Sequence, residues 1–214
     1  MKTVVIDYGS GNLRSAAKAL ERAASSIDRP VDIEVTGEAE KVRRADRIVL
    51  PGVGAFADCL AGLNGLAGMR EALTEAVLKD GRPFFGICVG MQLLAERSVE
   101  HGTHVGLGWL KGEVSPVQPV DKSFKIPHMG WNELAVIADT HPVLSGVDSG
   151  AHAYFVHSFA FRCESEDTMM ASVDYGGRLA AMVGRDNIVG TQFHPEKSQE
   201  TGLRMLRNFL NWRP

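Results

Sequence analysis

Short apolar runs alternate with amphipathic stretches along the first half of the chain, and this alternation restricts the fold more than any other feature. The apolar runs predict strands buried on both faces, and the stretches between them have the spacing of helices. The predicted strands cover residues 2–7, 32–35, 47–50 and 83–87, and the predicted helices cover residues 12–24 and 69–79. This order is typical of parallel β-α-β units. It predicts an α/β fold with a mostly parallel central sheet and helices on both faces.

The second half of the chain is richer in predicted strands. They cover residues 109–117, 153–162, 168–173, 179–183 and 188–193, and the last predicted helix covers residues 198–210. A hairpin turn is predicted at Tyr175-Gly176-Gly177. These elements predict an antiparallel, strand-rich addition to the central sheet. The chain has 214 residues, of which 44% are hydrophobic, and this suits one domain over residues 1–214.

A sharp turn with a thiol at its apex is predicted after the strand at residues 83–87. Its sequence is Gly86-Ile87-Cys88-Val89-Gly90, the G-x-S-x-G spacing of a nucleophile elbow with Cys in place of Ser. The two glycines let neighbouring backbone come close. The start of the following helix favours a thiolate, and a free N–H at the turn can face a developing oxyanion. Cysteine is also often buried, so this match alone indicates a nucleophile and a packing role about equally.

Charge and cysteine content argue against several classes of protein. Lys and Arg number 23, Asp and Glu number 26, and the net charge of −3 makes nucleic acid an unsuitable partner. The apolar run after Met1 is too short for a signal peptide or a membrane span. The three cysteines, Cys59, Cys88 and Cys163, are widely spaced, which indicates reduced thiols and a cytoplasmic location. We expect Cys59 and Cys163 to be structural.

A cysteine nucleophile needs a base, and the base needs a group that orients it. Of the seven histidines, His194 has the most suitable context, because it follows a predicted strand and so lies at the same sheet edge as Cys88. Glu196 lies two residues further on, across Pro195, where its carboxylate can hold one tautomer of the imidazole. The alternative is a strand-end histidine that only hydrogen-bonds a loop. The His-x-Glu pattern lacks the Cys-x-x-Cys of zinc deaminases, and we expect no metal ion or cofactor.

An oxyanion also needs hydrogen-bond donors, and the sequence offers them in two places. Gly52, Val53 and Gly54 follow a predicted strand, in a loop that suits glycine-like backbone. The N–H of Val89 belongs to the turn after the thiol, so these groups could form a pair of donors. The alternative is an ordinary strand-to-helix turn, which the spacing predicts equally well.

Together these motifs resemble the class I glutamine amidotransferases. The matching segments are PGVG at residues 51–54, GICVGMQ at residues 86–92 and HPE at residues 194–196. Finer matches resemble one branch of that family, the glutaminase subunits of histidine biosynthesis. They are DYGSGNL at residues 7–13, PHMGWN at residues 127–132, YFVHSF at residues 154–159 and HPEKS at residues 194–198. The resemblance covers essentially the whole chain and implies the family's flavodoxin-like α/β fold.

The resemblance implies a role for each matching residue. Cys88 would attack the side-chain amide of glutamine, His194 would move the proton, and Glu196 would orient the imidazole. The oxyanion donors would be the backbone N–H groups of Val89 and of Gly52 or Val53. The residues that hold the amino-acid end of glutamine would be Gln92, Ser158 and Phe159. The family commonly has Tyr where Phe159 stands, so this chain lacks that hydroxyl.

The resemblance also implies a partner. Ammonia would pass to a separate cyclase subunit, a (β/α)8 barrel, within a heterodimer that makes imidazole glycerol phosphate. The residues that match the partner-facing side of the family are Asn12, Trp131 and Lys197. We expect the isolated subunit to be nearly silent, because glycines let the loop at residues 51–54 adopt more than one backbone state and the partner can favour one of them.

Three other functions are open at this point. The chain could be a glutaminase of anthranilate, GMP or pyridoxal phosphate synthesis, although residues 127–132 and 194–198 favour histidine biosynthesis. It could be a cysteine peptidase or general hydrolase on a related fold, which a glutamine-derived electrophile would distinguish. It could also be a non-catalytic interaction subunit, which the presence of Cys88, His194 and Glu196 argues against.

Overall fold

Thirteen strands and six α-helices are present in the computed structural model, which describes residues 1–121 and 123–214. The strands are β1 (Lys2–Ile6), β2 (Asp32–Thr36), β3 (Arg47–Gly52), β4 (Phe84–Cys88), β5 (Arg97–Ser98), β6 (His104–Val105), β7 (Gly112–Pro116), β8 (His128–Val136), β9 (His152–His157), β10 (Phe159–Cys163), β11 (Met169–Asp174), β12 (Arg178–Arg185) and β13 (Ile188–Thr191). The α-helices are α1 (Leu13–Ala24), α2 (Ala39–Arg43), α3 (Phe56–Gly65), α4 (Met69–Leu73), α5 (Val89–Gln92) and α6 (Gln199–Asn211). Helix α4 continues as a π-helix over Thr74–Lys79, and 3-10 helices cover Pro142–Leu144, Glu166–Thr168 and Pro195–Lys197.

Nine of these strands form one large sheet with the order β2-β1-β3-β4-β13-β12-β11-β8-β9. The first five strands in this order are parallel to one another. The remaining strands continue the sheet in antiparallel fashion. A second sheet has the order β10-β7-β5-β6. The predicted α/β class, with a parallel centre and an antiparallel second half, is confirmed.

The central parallel strands β1, β3, β4 and β13 are buried on both faces, as their apolar sequences predict, whereas β2 at the edge of the sheet is partly exposed. Phe84 and Phe85 are neighbours on β4 and therefore point to opposite faces, and both are fully buried. Phe84 packs edge-to-face on Trp109, with ring centroids 5.2 Å apart. Phe85 packs in the same way on Phe209 of α6, also at 5.2 Å. Because both faces are covered, a ligand site on this sheet is expected at the carboxyl ends of its strands.

The helices form two groups. Helix α1 packs against α6, whereas α2 packs against α4, which also contacts α3. One side of α1 buries Ala16, Leu20 and Ala23, at the spacing of an amphipathic helix. The longest helix, α6, has 13 residues. Within residues 1–121 and 123–214, no helix is long and apolar enough to cross a membrane.

The predicted strand over residues 153–162 is in fact two strands that belong to different sheets. Strand β9 pairs with β8 in the large sheet, and β10 pairs with β7 in the small one. The chain changes sheets at Ser158, whose carbonyl accepts the Val117 N–H at 2.8 Å. An apolar run does not show which sheet each half joins, so the break is not visible in the sequence.

The sequence pattern also fails to predict β8 and α3. Strand β8 contains Gly130, and its outward side chains include the exposed Met129 and Trp131, so its apolar and polar residues do not alternate cleanly. Helix α3 contains Gly62 and ends at Gly65, and glycine disfavours helix. The predicted helix over residues 69–79 is present as α4 and the π-helix that follows it.

Candidate active site

Cys88 lies at the apex of a sharp turn between β4 and α5. Its φ of 55° and ψ of −111° are unusual for a residue with a side chain, which is typical of a strained nucleophile elbow. A Cβ at Gly90 would lie 1.8 Å from the Leu50 carbonyl oxygen, and one at Gly86 would lie 2.6 Å from the Gly90 oxygen. Only glycine fits at either position. The helix that follows, α5, has four residues.

A pocket of about 300 Å³ lies over Cys88 at the carboxyl ends of the parallel strands. The predicted site residues that line it are Val53, Cys88, Val89, Gln92, Ser158, Phe159 and His194. Gly52 is opposite Cys88 in the β3–β4 register. Across the described residues, no group of three or more His, Cys, Asp or Glu side chains is placed to hold a metal ion. The structure thus brings residues from distant parts of the sequence to one pocket.

His194 and Glu196 form a buried pair, with Nδ1 of the imidazole 2.8 Å from Oε1 of the carboxylate. A carboxylate only accepts hydrogen bonds, so Nδ1 carries a proton and Nε2 is the nitrogen available to the thiol. Within the described part of the chain, Nε2 is buried without a hydrogen-bond partner.

The electrostatics of this group favour a proton on His194. Burial lowers the pKa of His194, but Cys88 and Glu196 outweigh burial and raise the pKa to about 10. The imidazolium is stabilised most when the neighbouring sulfur is a thiolate. The arrangement can therefore move a proton from Sγ to Nε2 and leave a nucleophilic sulfur at the pocket.

Two buried glutamines connect the thiol with the far wall of the pocket. Gln192 Nε2 donates to Cys88 Sγ at 3.7 Å, a distance suited to a sulfur acceptor. Gln92 Nε2 donates to Gln192 Oε1 and to the Phe159 carbonyl, both at 3.1 Å. The sequence gives no sign of a role for Gln192, because it lies at the end of an apolar strand like an ordinary buried residue.

The Val53 backbone is held by a serine from the loop after β1. Ser10 Oγ donates to the Val53 carbonyl at 2.6 Å and accepts the Val53 N–H at 3.3 Å. Cys59 Sγ donates to the same carbonyl at 3.4 Å, and the Tyr8 hydroxyl donates to the Pro51 carbonyl at 2.7 Å. Because its N–H is bonded to Ser10, Val53 does not present a free oxyanion donor in this state. The sequence does not predict this contact between distant loops.

Glu100 adds a carboxylate to the pocket that the sequence motifs do not indicate. It lines the pocket, and its Oε2 accepts the Phe56 N–H at the start of α3 at 2.7 Å. Among the described lining residues, Glu100 is the one with an acidic side chain. Its second oxygen gives it capacity to accept a hydrogen bond from a cationic group of a ligand.

The residues predicted to face a partner lie on neighbouring surface features. Trp131 is 46% exposed and packs edge-to-face on Tyr154, with ring centroids 5.9 Å apart. Lys197 Nζ lies 5.6 Å from the centre of the same ring, at cation–π distance. Asn12 is the N-cap residue of α1, and α1 packs against the 3-10 helix that contains Lys197. Trp131 and Lys197 thus meet on Tyr154, and Asn12 lies on the adjacent helix.

The fold and the thiol site together define a class of enzyme. The sequence profile of the class I glutamine amidotransferases matches residues 4–212, nearly the whole chain. The chain therefore belongs to the class I glutamine amidotransferase family, and the resemblance predicted from its motifs is confirmed.

Three relatives that match the whole chain carry the same name. The imidazole glycerol phosphate synthase subunit HisH of Rhodospirillum rubrum is 60% identical over 214 residues, covering all of both chains. Subunits of the same name from Rhodopseudomonas palustris and Brucella suis are 55% and 54% identical over 217 residues, again covering all of each chain. The finer resemblance to this branch of the family is confirmed as well.

Solved structures share the fold at low sequence identity. The crystal structure of a glutamine amidotransferase matches with a TM-score of 0.70 at 21% identity, covering 97% of this chain and 97% of that one. A glutamine amidotransferase from Thermotoga maritima matches with a TM-score of 0.65 at 17% identity, covering 99% and 96%. These similarities support the α/β fold alone.

Proposed function

We propose that this chain is the glutaminase subunit of an imidazole glycerol phosphate synthase and supplies ammonia to a separate cyclase subunit. The observation that carries the proposal is the convergence of Cys88, His194 and Glu196 beside one pocket, in a chain 60% identical from end to end to a HisH protein. We assign the complex to the cytoplasm, where Cys88 stays reduced.

The reaction begins with transfer of the Cys88 proton to His194 Nε2. The thiolate attacks the carbonyl carbon of the glutamine side-chain amide, forming a C–S bond and a tetrahedral oxyanion. The Val89 N–H has no acceptor within α5 because it lies in the first turn, so it can donate to this oxyanion. The C–N bond then breaks, His194 gives its proton to the leaving nitrogen, and ammonia departs from a glutamyl thioester on Cys88.

Water completes the cycle by hydrolysing the thioester. His194 takes a proton from the water as its oxygen adds to the carbonyl carbon, and the C–S bond breaks to release glutamate and the thiolate. Glu196 holds the Nδ1–H of His194 and so keeps Nε2 directed at the reacting atoms. The Gln192 amide, which donates to Sγ, stabilises the thiolate both as nucleophile and as leaving group.

We assign recognition of the amino-acid end of glutamine to other residues that line the pocket with His194. The Glu100 carboxylate suits the α-ammonium group, because an ammonium needs acceptors and a negative charge. Gln92 and the backbone of Ser158 and Phe159 line the same pocket and can contact the remaining polar atoms. Binding and chemistry are thus assigned to different residues, and substitutions can separate them.

Glu100→Gln is expected to raise the KM for glutamine about 10- to 100-fold, because a charge-assisted hydrogen bond is lost. The amide oxygen of Gln can still accept the Phe56 N–H, so the start of α3 is preserved. Steady-state release of glutamate as a function of glutamine concentration measures the effect. Glu200→Gln, on the exposed side of α6, is the matched control. An unchanged KM in Glu100→Gln would remove this residue from substrate recognition.

The resting state of the loop at residues 51–54, the oxyanion loop, supports activation by the partner. The Val53 N–H is occupied by Ser10 Oγ, and loss of one oxyanion donor costs roughly 10²–10³ in rate. A partner that binds the released loop conformation more tightly shifts the loop toward it. The surface formed by Trp131, Lys197 and Asn12 is the proposed docking face for the cyclase.

Adding the cyclase subunit with a substrate analogue is expected to raise glutamate release by up to roughly 10²–10³-fold.

Ser10→Ala removes the competing acceptor of the Val53 N–H, so the rate without partner is expected to rise roughly fivefold, the equivalent of one hydrogen bond. Ser25→Ala, at the exposed end of α1, is the matched control. Full activity of the isolated wild-type chain would contradict the gating, and an unchanged basal rate in Ser10→Ala would contradict the role of Ser10.

A further inference from the structure

Two buried histidines, His128 and His157, lie beside the pocket, and the proposed reaction uses neither of them. They are opposite each other in the β8–β9 register and are 2% and 6% exposed. Nδ1 of His128 is 2.9 Å from Nε2 of His157. His157 lines the pocket, as does Pro127, and His128 lies behind His157.

The hydrogen bonds around the pair permit one arrangement of protons. The Phe159 carbonyl can only accept, so Nδ1 of His157, 2.9 Å away, must donate to it. Nε2 of a neutral His157 then carries no proton and accepts from Nδ1–H of His128. Nε2 of His128 is the remaining acceptor, and it faces Nδ2 of Asn132 at 3.3 Å. Each group therefore donates to the next, from Asn132 through His128 and His157 to the Phe159 carbonyl at the pocket.

This arrangement requires neutral rings, and the surroundings favour them. The His128 ring stacks on Phe155 and on Tyr175, with ring centroids 4.7 and 3.9 Å away. Burial lowers the pKa of His128 to about 4 and has the same effect on His157, so both rings are neutral near pH 7. A second proton on His157, at Nε2, would place its N–H against the Nδ1–H of His128.

The chain of hydrogen bonds continues from the pair to the thiol. The Phe159 carbonyl that accepts from His157 also accepts from Gln92 Nε2, at 3.1 Å. The same Gln92 nitrogen donates to Gln192 Oε1, and Gln192 Nε2 lies 3.7 Å from Cys88 Sγ. A continuous path of polar contacts thus joins strand β8 to the nucleophile.

We propose that His128 and His157 are positioning residues that fix the Phe159 carbonyl and, through it, the Gln92 side chain and the wall that holds the amino-acid end of glutamine. The inference rests on the proposed glutaminase function. Without the donor from His128, the His157 ring loses one of the two bonds that select its tautomer and fix its orientation, so the donor to the Phe159 carbonyl is held less firmly. This wall contacts the amino-acid end and not the scissile amide, so binding of glutamine is affected more than the chemical step.

Two substitutions of His128 test the proposal in the complex with the cyclase subunit. His128→Phe keeps a flat ring that can stack on Phe155 and Tyr175 but donates no hydrogen bond, whereas His128→Asn keeps a donor near the position of Nδ1. We expect His128→Phe to raise the KM for glutamine roughly tenfold, with kcat within about threefold of wild type, and His128→Asn to recover most of the loss. His152→Phe, exposed on the same ladder, is the control and should leave KM unchanged.

A second measurement uses the wild-type protein, so it does not depend on whether a variant folds. Nitrogen-15 NMR of the histidine rings should show both His128 and His157 neutral, with the proton on Nδ1. A proton on Nε2 of either ring, or a wild-type KM in His128→Phe, would overturn the proposal. A wild-type complex that releases no glutamate from glutamine would instead refute the proposed function, a failure that the NMR spectrum does not share.

Discussion

Cys88→Ala is expected to abolish glutamine hydrolysis, by at least roughly 10⁴-fold, while the complex continues to make imidazole glycerol phosphate from ammonium salt. The substitution removes the proposed nucleophile, and water cannot replace it within the same geometry. The cyclase subunit needs only ammonia, so its own reaction should be unaffected. The substitution removes one sulfur atom from a buried site, and partner docking should persist because the proposed docking face is carried by other elements.

The measurement is parallel assay of product formation with glutamine and with ammonium salt in the reconstituted complex. Cys163→Ala is the matched control, because Cys163 is half-buried on β10 and is not among the residues that line the pocket. Glutamine-dependent product formation that survives in Cys88→Ala would remove Cys88 as the nucleophile. Loss of both activities would show that the change damages assembly and not only the thiol chemistry.

His194→Ala is expected to cost nearly as much as the loss of the thiol, whereas Glu196→Ala is expected to cost less. Residues that act as a unit have strongly non-additive effects, so removal of the base alone disables the nucleophile. Without Glu196, the imidazole can still accept a proton, but the bond at Nδ1 that holds one tautomer is gone.

The double variant His194→Ala/Glu196→Ala gives the sharpest form of this prediction. Its glutaminase activity should equal that of His194→Ala, because Glu196 acts only through the imidazole. Rates of glutamate release from the three variants, measured with the cyclase subunit present, decide the matter. A double variant clearly slower than His194→Ala would show that Glu196 has a function of its own at the pocket.

The parts of this site that the sequence predicts are those set by local geometry. The turn at Cys88 follows from Gly86 and Gly90, since any side chain at either position would collide with nearby backbone. The pairing of His194 with Glu196 is equally local, because only Pro195 separates the two residues and Glu196 lies in the 3-10 helix that begins there. The parallel order of the first strands follows from their alternation with helices.

The parts that the sequence does not predict depend on contacts between distant segments. Ser10 meets Val53 only because β1 and β3 are parallel neighbours, so the loops that follow them begin at the same edge of the sheet. Glu100 reaches the pocket from a loop whose sequence carries no motif. The hydrogen bond that its carboxylate accepts from the Phe56 N–H is visible only in the structure. A sequence of hydrophobic and polar residues specifies strands, but it does not specify which loops they bring together.

The most direct test of the central claim is the fate of the glutamine side-chain nitrogen. The reconstituted complex is supplied with glutamine carrying nitrogen-15 in its side-chain amide, in the presence of an excess of unlabelled ammonium salt, below the concentration at which free ammonium supports the cyclase. We predict that the imidazole glycerol phosphate formed contains undiluted nitrogen-15, and that the Cys88→Ala complex incorporates none. Absence of labelled product under these conditions, or label incorporated equally by Cys88→Ala, would contradict a glutaminase that acts through Cys88 and delivers its ammonia to the cyclase.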